Sequence, residues 1–158
     1  MKVLVLSGLL PDPLRPTHGL FVQRFLDALA AAKGWEPLLV VPRPVAPPFL
    51  GGLLPPLAPG LLPPERVVRD GRPIHFPRYR HLRGLGLCLA GRAVARAAAP
   101  CVAEILRRER VQVMFGVYLY PYGVAAAALA RRLGLPLWLS ARGTDALRLA
   151  REIGRAHV

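Results

Sequence analysis

The first 41 residues are MKVLVLSGLLPDPLRPTHGLFVQRFLDALAAAKGWEPLLVV. Met1–Ser7 is a short run rich in Val and Leu, which predicts a buried parallel strand. A helix is predicted from Gly19 to Gly34, because apolar residues recur on one helical face and glycine commonly follows a helix end. The apolar positions of that face are Val22, Phe25, Leu26 and Leu29. Leu38–Val41 predicts a second strand, and the order strand, helix, strand is typical of a parallel βαβ unit.

The same alternation returns in the second half of the chain. Val111–Phe115 and Leu137–Ser140 are apolar runs that predict two more inner strands. Val124–Leu133, followed by Gly134, predicts the helix between them. The sequence therefore predicts an α/β fold, with a mainly parallel sheet flanked by helices.

The middle of the chain is less regular. Pro42–Pro64 is rich in Pro, Gly and Leu and is too long for an ordinary connection. Because proline cannot donate to a sheet ladder, this stretch predicts a mobile functional loop near the carboxyl edge, rather than a linker between domains. Arg66–Arg69 and Ile74–Pro77 predict short strands around a turn. Leu85–Arg110 is helical in composition and is expected to break near Pro100.

Composition limits the function classes. The 158 residues carry 22 Lys and Arg against 9 Asp and Glu, a net charge of +13, which suits an anionic neighbour. A hydrophobic share of 53% excludes a disordered chain. The arginine excess and 18 prolines fit either a GC-rich genome or a thermophile. Two cysteines are too few for a disulfide framework or a zinc site, so a cytoplasmic location is expected. Prolines interrupt both long uncharged stretches, so no transmembrane helix is predicted.

The loop from Gly8 to Gly19 lacks the Gly-x-Gly-x-x-Gly pattern, which argues against an NAD or flavin enzyme. His18 and Gly19 stand at the start of the first helix. Free amides and the helix dipole favour a phosphate there. Gly19 is explained equally well as a residue that lets the loop turn.

Tyrosines follow the strand at Val111–Phe115. Tyr118, Tyr120 and Tyr122 lie where open α/β sheets bind their ligands, at the carboxyl end of a strand. Tyrosine rings can stack on a sugar and their hydroxyls can hydrogen-bond to it. The alternative is a plain turn with half-buried aromatic side chains.

The segment Ser140-Ala-Arg-Gly-Thr-Asp145 leaves the last predicted strand. Arg142 can bind a phosphate or a carboxylate with two parallel hydrogen bonds, and Gly143 allows close approach of a ligand. Thr144 is predicted to cap a final helix. Asp145 either contacts a ligand, caps that helix or pairs with Arg148.

A basic and aromatic cluster, Arg78-Tyr-Arg-His-Leu-Arg83, precedes the long helix. Arg78 and Arg80 can hold an anionic acceptor, a membrane surface or nucleic acid. The other arginines are dispersed over solvated helix faces, and no nucleic-acid motif is present, which disfavours nucleic acid. None of the histidines has metal-ligand spacing, so no metal site is predicted.

These segments together resemble the N-terminal domain of glycosyltransferase family 4, the retaining group with the GT-B fold. The matching segments, in the family's order, are Gly19–Gln23, Val40–Pro42, Pro77–Tyr79, Tyr120–Gly123, Gly134–Pro136 and Arg142–Asp145. Arg142 stands where many relatives have a histidine that lies against the donor sugar. Relatives often have Gly-Gly at His18-Gly19, a histidine at Val117 and an acidic residue at Tyr122.

The resemblance implies that residues 1–158 are a Rossmann-like acceptor-side domain, with helices on both faces of its sheet, and that a nucleotide-sugar domain lies beyond them. It implies metal-independent transfer, without a cofactor, from a nucleotide sugar to a glycan or lipid-linked acceptor. The basic cluster and the proline-rich stretch add the expectation of peripheral contact with the inner face of an anionic membrane. Arg142 and Asp145 would be the catalytic residues. The substrate-binding residues would be His18, Gly19, Tyr118, Tyr120, Tyr122, Gly143, Thr144, Arg78 and Arg80. The alternative is a non-enzymatic basic α/β module that binds nucleic acid or an anionic surface.

Overall fold

The computed structural model describes residues 1–45, 62–69, 71–80, 87–143 and 145. The strands in this part are β1 (Lys2–Ser7), β2 (Glu36–Val40), β3 (Arg43–Val45), β4 (Arg66–Arg69), β5 (Arg72–His75), β6 (Arg78–Arg80), β7 (Val113–Val117) and β8 (Leu137–Ser140). The helices are α1 (Leu20–Lys33), α2 (Leu87–Arg108) and α3 (Val124–Leu133). An irregular helical turn, Leu119–Gly123, leads into α3.

Six strands of the described residues form one sheet in the order β4-β5-β2-β1-β7-β8. Neighbouring strands are parallel, except that β4 is antiparallel to β5. The predicted α/β, Rossmann-like fold is therefore confirmed, and the four segments predicted to share a sheet are its β1, β2, β7 and β8. Strand β8 is the last strand in this order among the described residues, whereas an inner position was expected.

Strand ends differ from the predicted ones because pairing, not apolar composition, sets them. Val113 lies opposite Val3, and Val117 lies opposite Ser7. Strand β7 therefore begins after Val111 and extends past Phe115. In the same way, β2 begins at Glu36, where it meets the start of β1.

Alternation along β1 separates two hydrophobic cores. Val3 and Val5 pack on the face that α1 covers, with Val22 and Leu26 of the helix. Leu4 and Leu6 point to the other face, where α2 and α3 supply most of the core. Each such buried side chain contributes about 1.5–3 kcal/mol. Helices thus cover both faces of the sheet, as predicted.

The prediction that prolines keep the whole stretch after Val41 out of a ladder is wrong at its beginning. Pro44 lies in β3, opposite Tyr79 of β6. In a parallel pair only alternate residues donate toward a given partner. Arg43 makes such a bond, since its N–H donates to the Pro77 carbonyl over 2.8 Å. Pro44 therefore occupies a position that needs no donor.

The predicted break at Pro100 is also wrong, because α2 continues through it. Pro100 is exposed, so the carbonyl of Arg96, which loses its N–H partner, is on the side that faces water. Ala98 and Val102 on the opposite side are buried in the core. That packing maintains the helix where local propensity would end it.

Several predictions fall outside the described residues. These concern the loop over residues 46–61, His81 and Arg83 of the basic cluster, Thr144, and the helix expected after it. Among the residues that the structure does describe, none of the helices is both long enough and apolar enough to span a membrane.

Candidate functional site at the carboxyl edge of the sheet

The order of the strands creates a switch point between β1 and β7. From β1 the chain moves to β2 on one side, and it later returns through β7 on the other side. Loops that leave two such strands in opposite directions open a crevice at their carboxyl ends, where ligands of α/β sheets bind. Three segments meet at this edge: the β1–α1 loop (residues 8–19), the β7–α3 turn (residues 118–123) and the β8 exit (residues 141–143 and 145).

The β1–α1 loop is organised around a buried carboxylate. The side chain of Asp12 is fully buried. Its Oδ1 accepts the backbone N–H groups of Leu14 and Arg15 at 3.0 and 2.9 Å. Its Oδ2 pairs with the Arg15 guanidinium at 3.2 Å. Asp12 therefore closes a tight turn inside the loop.

A buried arginine connects this loop to the sheet, and no sequence pattern predicted it. Arg43, with its side chain only 3% exposed, pairs with Asp12 Oδ2 at 2.8 Å. It also donates to the carbonyls of Gly8 and Leu10, both at 2.8 Å. Its guanidinium lies over the Phe76 ring, 5.3 Å from the centroid. The only available signal was one charged residue between two prolines at a strand end.

The charges of this loop affect His18. Burial lowers the pKa of the His18 imidazole below its usual value, and the nearby Arg15 and Arg43 lower it further. Asp12 acts in the opposite direction and is the smallest cause. At neutral pH His18 is therefore an uncharged ring that can both donate and accept a hydrogen bond.

Gly19 has two reasons to be glycine. Its φ is +72°, a left-handed conformation that precedes the first turn of α1. A Cβ built there would lie 2.6 Å from the carbonyl carbon of Leu9. Gly34, at the other end of the helix, has a similar φ of +61° but open space around it.

This contrast gives a matched test. Gly34→Ala should lower the free energy of unfolding by about 1–2 kcal/mol, the usual penalty for a left-handed side chain. Gly19→Ala should lower it further, because the loop backbone at Leu9 must also move. Urea unfolding followed by circular dichroism measures both values. Equal losses for the two variants would show that the close approach to Leu9 has no energetic effect.

The β7–α3 turn points its last tyrosine inward. A Cβ on Gly8 would lie 2.0–2.2 Å from ring atoms of Tyr122, so the ring packs directly on Gly8. The hydroxyls of Tyr122 and Tyr79 are 3.5 Å apart. Burial raises the pKa of the Tyr122 hydroxyl. The Tyr122 side chain therefore packs inward, with its ring against Gly8 and its hydroxyl near that of Tyr79.

The other two tyrosines differ from Tyr122: Tyr118 has a strained backbone conformation, and the Tyr120 hydroxyl lacks a hydrogen-bond partner among the described residues. Tyr118 has a φ of +73°, which is uncommon for a residue with a side chain. Such strained residues persist where the surrounding structure holds them in place, and they cluster at functional sites. Its N–H donates to the Ser140 carbonyl over 3.0 Å. The Tyr120 hydroxyl is buried and has no hydrogen-bond partner among the described residues. The peptide bond between Tyr120 and Pro121 is cis.

At the β8 exit, Arg142 lies on the first turns of α1. Its guanidinium is 4.2 Å from the Phe25 ring centroid and 5.8 Å from that of Phe21. Its Nε is buried without a hydrogen-bond partner in the described part of the chain. The aromatic faces therefore hold the cation from one side.

Asp145 accepts a hydrogen bond from the neighbouring β7–α3 turn. Its Oδ2 accepts the N–H of Leu119 over 2.8 Å, and its own N–H donates to the Arg142 carbonyl over 2.7 Å. Within the described residues it forms no ion pair with Arg142. Gly143 between them is exposed, with open space where a side chain would be.

Arg78 and Arg80 lie on the β3–β6 ribbon. This ribbon continues from the carboxyl ends of β2 and β5, so it borders the same edge. Both arginines are exposed, and Tyr79 between them is buried. Arg78 Nε lies 3.7 Å from Glu65 Oε1. Alternation along the strand thus directs both cations to solvent.

A separate cleft of about 290 Å³ lies beside α1, on the β2–β5 side. Its polar lining consists of Gln23, Asp27, Arg69 and Arg72. Arg69 is held there by Gln23 Oε1 and the Pro11 carbonyl, at 3.1 and 3.0 Å. None of the predicted site residues lines it.

The structure thus brings His18, Gly19, the tyrosines, Arg142 and Asp145 to the three segments of one edge, with Thr144 outside the described residues. In the described part of the chain, no three His, Cys, Asp or Glu side chains come together as metal ligands would. The sequence matches no model of a known protein family and no curated protein.

Proposed function

We propose that this chain is the N-terminal, acceptor-side domain of a retaining glycosyltransferase with the GT-B fold. The observation that supports it most is that family-like segments far apart in sequence lie on the carboxyl edge of one Rossmann-like sheet. Gly19 precedes α1, the Tyr120–Gly123 turn leads into α3, and Arg142 follows the end of β8. A second, nucleotide-binding domain would face this edge and close the cleft.

The charge and hydrogen-bond groups of the edge suit the transfer of a sugar from a diphosphate. Arg142 carries a permanent positive charge, and stacking on Phe25 restricts its position. A cation fixed in this way stabilises the negative charge that develops on the departing diphosphate, without rearranging during the reaction. In this proposal the nucleotide sugar is a substrate, and transfer requires no metal or cofactor.

The remaining residues would bind and orient the acceptor. Tyr118 and Tyr120 border the crevice and can stack on a sugar face. His18, neutral at physiological pH, can exchange hydrogen bonds with hydroxyl groups. Asp145 keeps the Leu119 turn in place through its carboxylate, so its contribution is to shape the acceptor side. A correctly oriented acceptor is itself a large part of the rate gain.

The proposal is tested by transfer activity with and without a second domain. The 158-residue chain alone should not turn over nucleotide sugars, because the reacting groups come from two domains. In this proposal the complete enzyme has a second Rossmann-like half with a Glu-x7-Glu pattern, and the two-domain product should transfer sugar from at least one nucleotide sugar. Sustained turnover by the short chain, or no turnover by the two-domain product with any of the common nucleotide sugars, would contradict it.

The exposed arginines of β6 favour an acceptor at an anionic membrane. Each arginine near such a surface contributes about 1 kcal/mol, so Arg78→Ala/Arg80→Ala should weaken binding to phosphatidylglycerol vesicles by about 30-fold. Vesicle co-sedimentation at fixed salt measures the change.

The matched control removes two arginines from the opposite edge. Arg131 and Arg132 are exposed in the last turn of α3, which runs back toward the amino ends of the strands. Arg131→Ala/Arg132→Ala lowers the net charge by the same amount and should leave vesicle binding nearly unchanged. Equal losses for the two double variants would mean that only overall charge matters.

A further inference from the structure

We infer that Arg43 is a positioning residue, which sets the conformation of the β1–α1 loop and so the shape of the ligand crevice. Its guanidinium makes hydrogen bonds to three points of the loop, the carbonyls of Gly8 and Leu10 and the carboxylate of Asp12. The planar fork of arginine can satisfy several acceptors in fixed directions, which lysine cannot. Arg43 makes these contacts within this chain, so its role does not depend on whether the chain transfers sugar.

The location of Arg43 explains why it can act on the site without contacting a ligand. It begins β3, immediately after the carboxyl end of β2, and its side chain is almost fully buried. From there it reaches the loop that leaves β1, the strand beside the switch point. The Tyr122 ring rests on Gly8, whose carbonyl Arg43 holds. Arg43 therefore acts directly on the β1–α1 loop and, through Gly8, on the packing of the β7–α3 turn.

A core role alone does not account for this arrangement. A buried ion pair is seldom more stabilising than an apolar pair of similar size. Two of the groups that accept hydrogen bonds from Arg43 are loop carbonyls. The other carboxylate oxygen of Asp12 accepts backbone N–H groups of the same loop. All of these bonds act on residues 8–15, where no strand or helix maintains the backbone. What they supply is a defined loop shape.

The test is a double variant that keeps the charge balance. Arg43→Met/Asp12→Asn removes one positive and one negative charge together, so the loop retains the net charge that Arg15 supplies. The introduced asparagine can still accept the N–H groups of Leu14 and Arg15 through its side-chain oxygen. The carbonyls of Gly8 and Leu10 lose their donor, and the Arg15 guanidinium loses its carboxylate partner. Because the net charge of the loop is unchanged, differences from the wild type report these lost contacts rather than a change in charge.

Amide hydrogen exchange of the full chain, followed by NMR, is the measurement. In the double variant, exchange of the amides of residues 8–19 should accelerate at least about tenfold more than exchange of the β1 and β7 amides, which report opening of the whole fold. Arg43→Lys should show an intermediate loop effect. The control is Lys2→Met/Glu109→Gln, which neutralises an ion pair at the amino edge and should leave the loop unchanged.

Two results would overturn the inference. One is a loop that exchanges in Arg43→Met/Asp12→Asn as it does in the wild type. The other is an equal acceleration of the loop and of the β1 and β7 amides, which would make Arg43 a general stabilising residue. Neither result depends on transfer activity, so failure of this inference and failure of the proposed function are distinguishable.

Discussion

Arg142→Lys should lower the catalytic efficiency of the two-domain enzyme by about 100-fold or more, the effect of losing one preorganised donor to a developing charge. Lysine keeps the positive charge but not the planar group that stacks on Phe25 and presents several donors at once. The fold should survive, because a cation–π contact contributes only about 0.5–2 kcal/mol. The measurements are kcat/KM for the nucleotide sugar and the melting temperature of the same preparation.

Two further variants separate catalysis from packing. Arg132→Lys makes the same chemical change at an exposed position of α3 and should have no effect on either quantity. Phe25→Leu keeps an apolar side chain beside Arg142 but removes the aromatic face, and it should reduce activity less than Arg142→Lys does. If Arg142→Ala unfolds the domain, or leaves turnover near the wild-type value, then Arg142 is a structural residue.

Arg43→Met should lower the free energy of unfolding by about 3–5 kcal/mol, as expected when one partner of a buried ion pair is removed. Asp12 would remain fully buried, with Arg15 as its remaining cationic partner. The carbonyls of Gly8 and Leu10 would each lose a donor. A loss of this size is a large part of the about 5–15 kcal/mol that stabilises a typical domain. Urea unfolding measures it.

A double-mutant cycle shows whether the loss belongs to the pair. Asp12→Asn alone should also be strongly destabilising, because it leaves Arg43 charged in a site where burial already lowers the pKa of its guanidinium. Arg43→Met/Asp12→Asn leaves neither charge unpaired and should lose less than the sum of the two single variants. Strictly additive losses would show that Asp12 and Arg43 are not energetically coupled.

Local pattern was sufficient to predict most of the fold. The apolar run before Ser7 and the helical spacing of Val22 and Leu26 depend on neighbours within a few residues, and both segments form as predicted. The positions of Gly34 and Gly134 as helix ends follow from the same local rules, and both have positive φ. The course of α2 through Pro100 could not be predicted, because tertiary packing decides it.

The candidate site was predictable only in part, for a similar reason. That Arg142 follows a strand end was visible in the sequence. Its contact with Phe25 was not, because that residue belongs to a distant element. Arg43 reaches acceptors 31 to 35 residues earlier in the chain, and no periodicity connects such positions. The Tyr122 ring likewise packs inward only because Gly8, more than 100 residues earlier in the chain, has no side chain to block it.

The most direct test of the proposed function is to map where an acceptor meets this chain. Amide chemical shifts of the ¹⁵N-labelled protein would be followed during titration with mono- and disaccharides and with a short-chain polyprenyl phosphate. We expect changes in residues 8–19, 118–123, 141–143 and 145, at the carboxyl ends of β1, β7 and β8. Changes confined to the cleft between Gln23, Asp27, Arg69 and Arg72, or no change with any of these ligands, would contradict the proposed acceptor site.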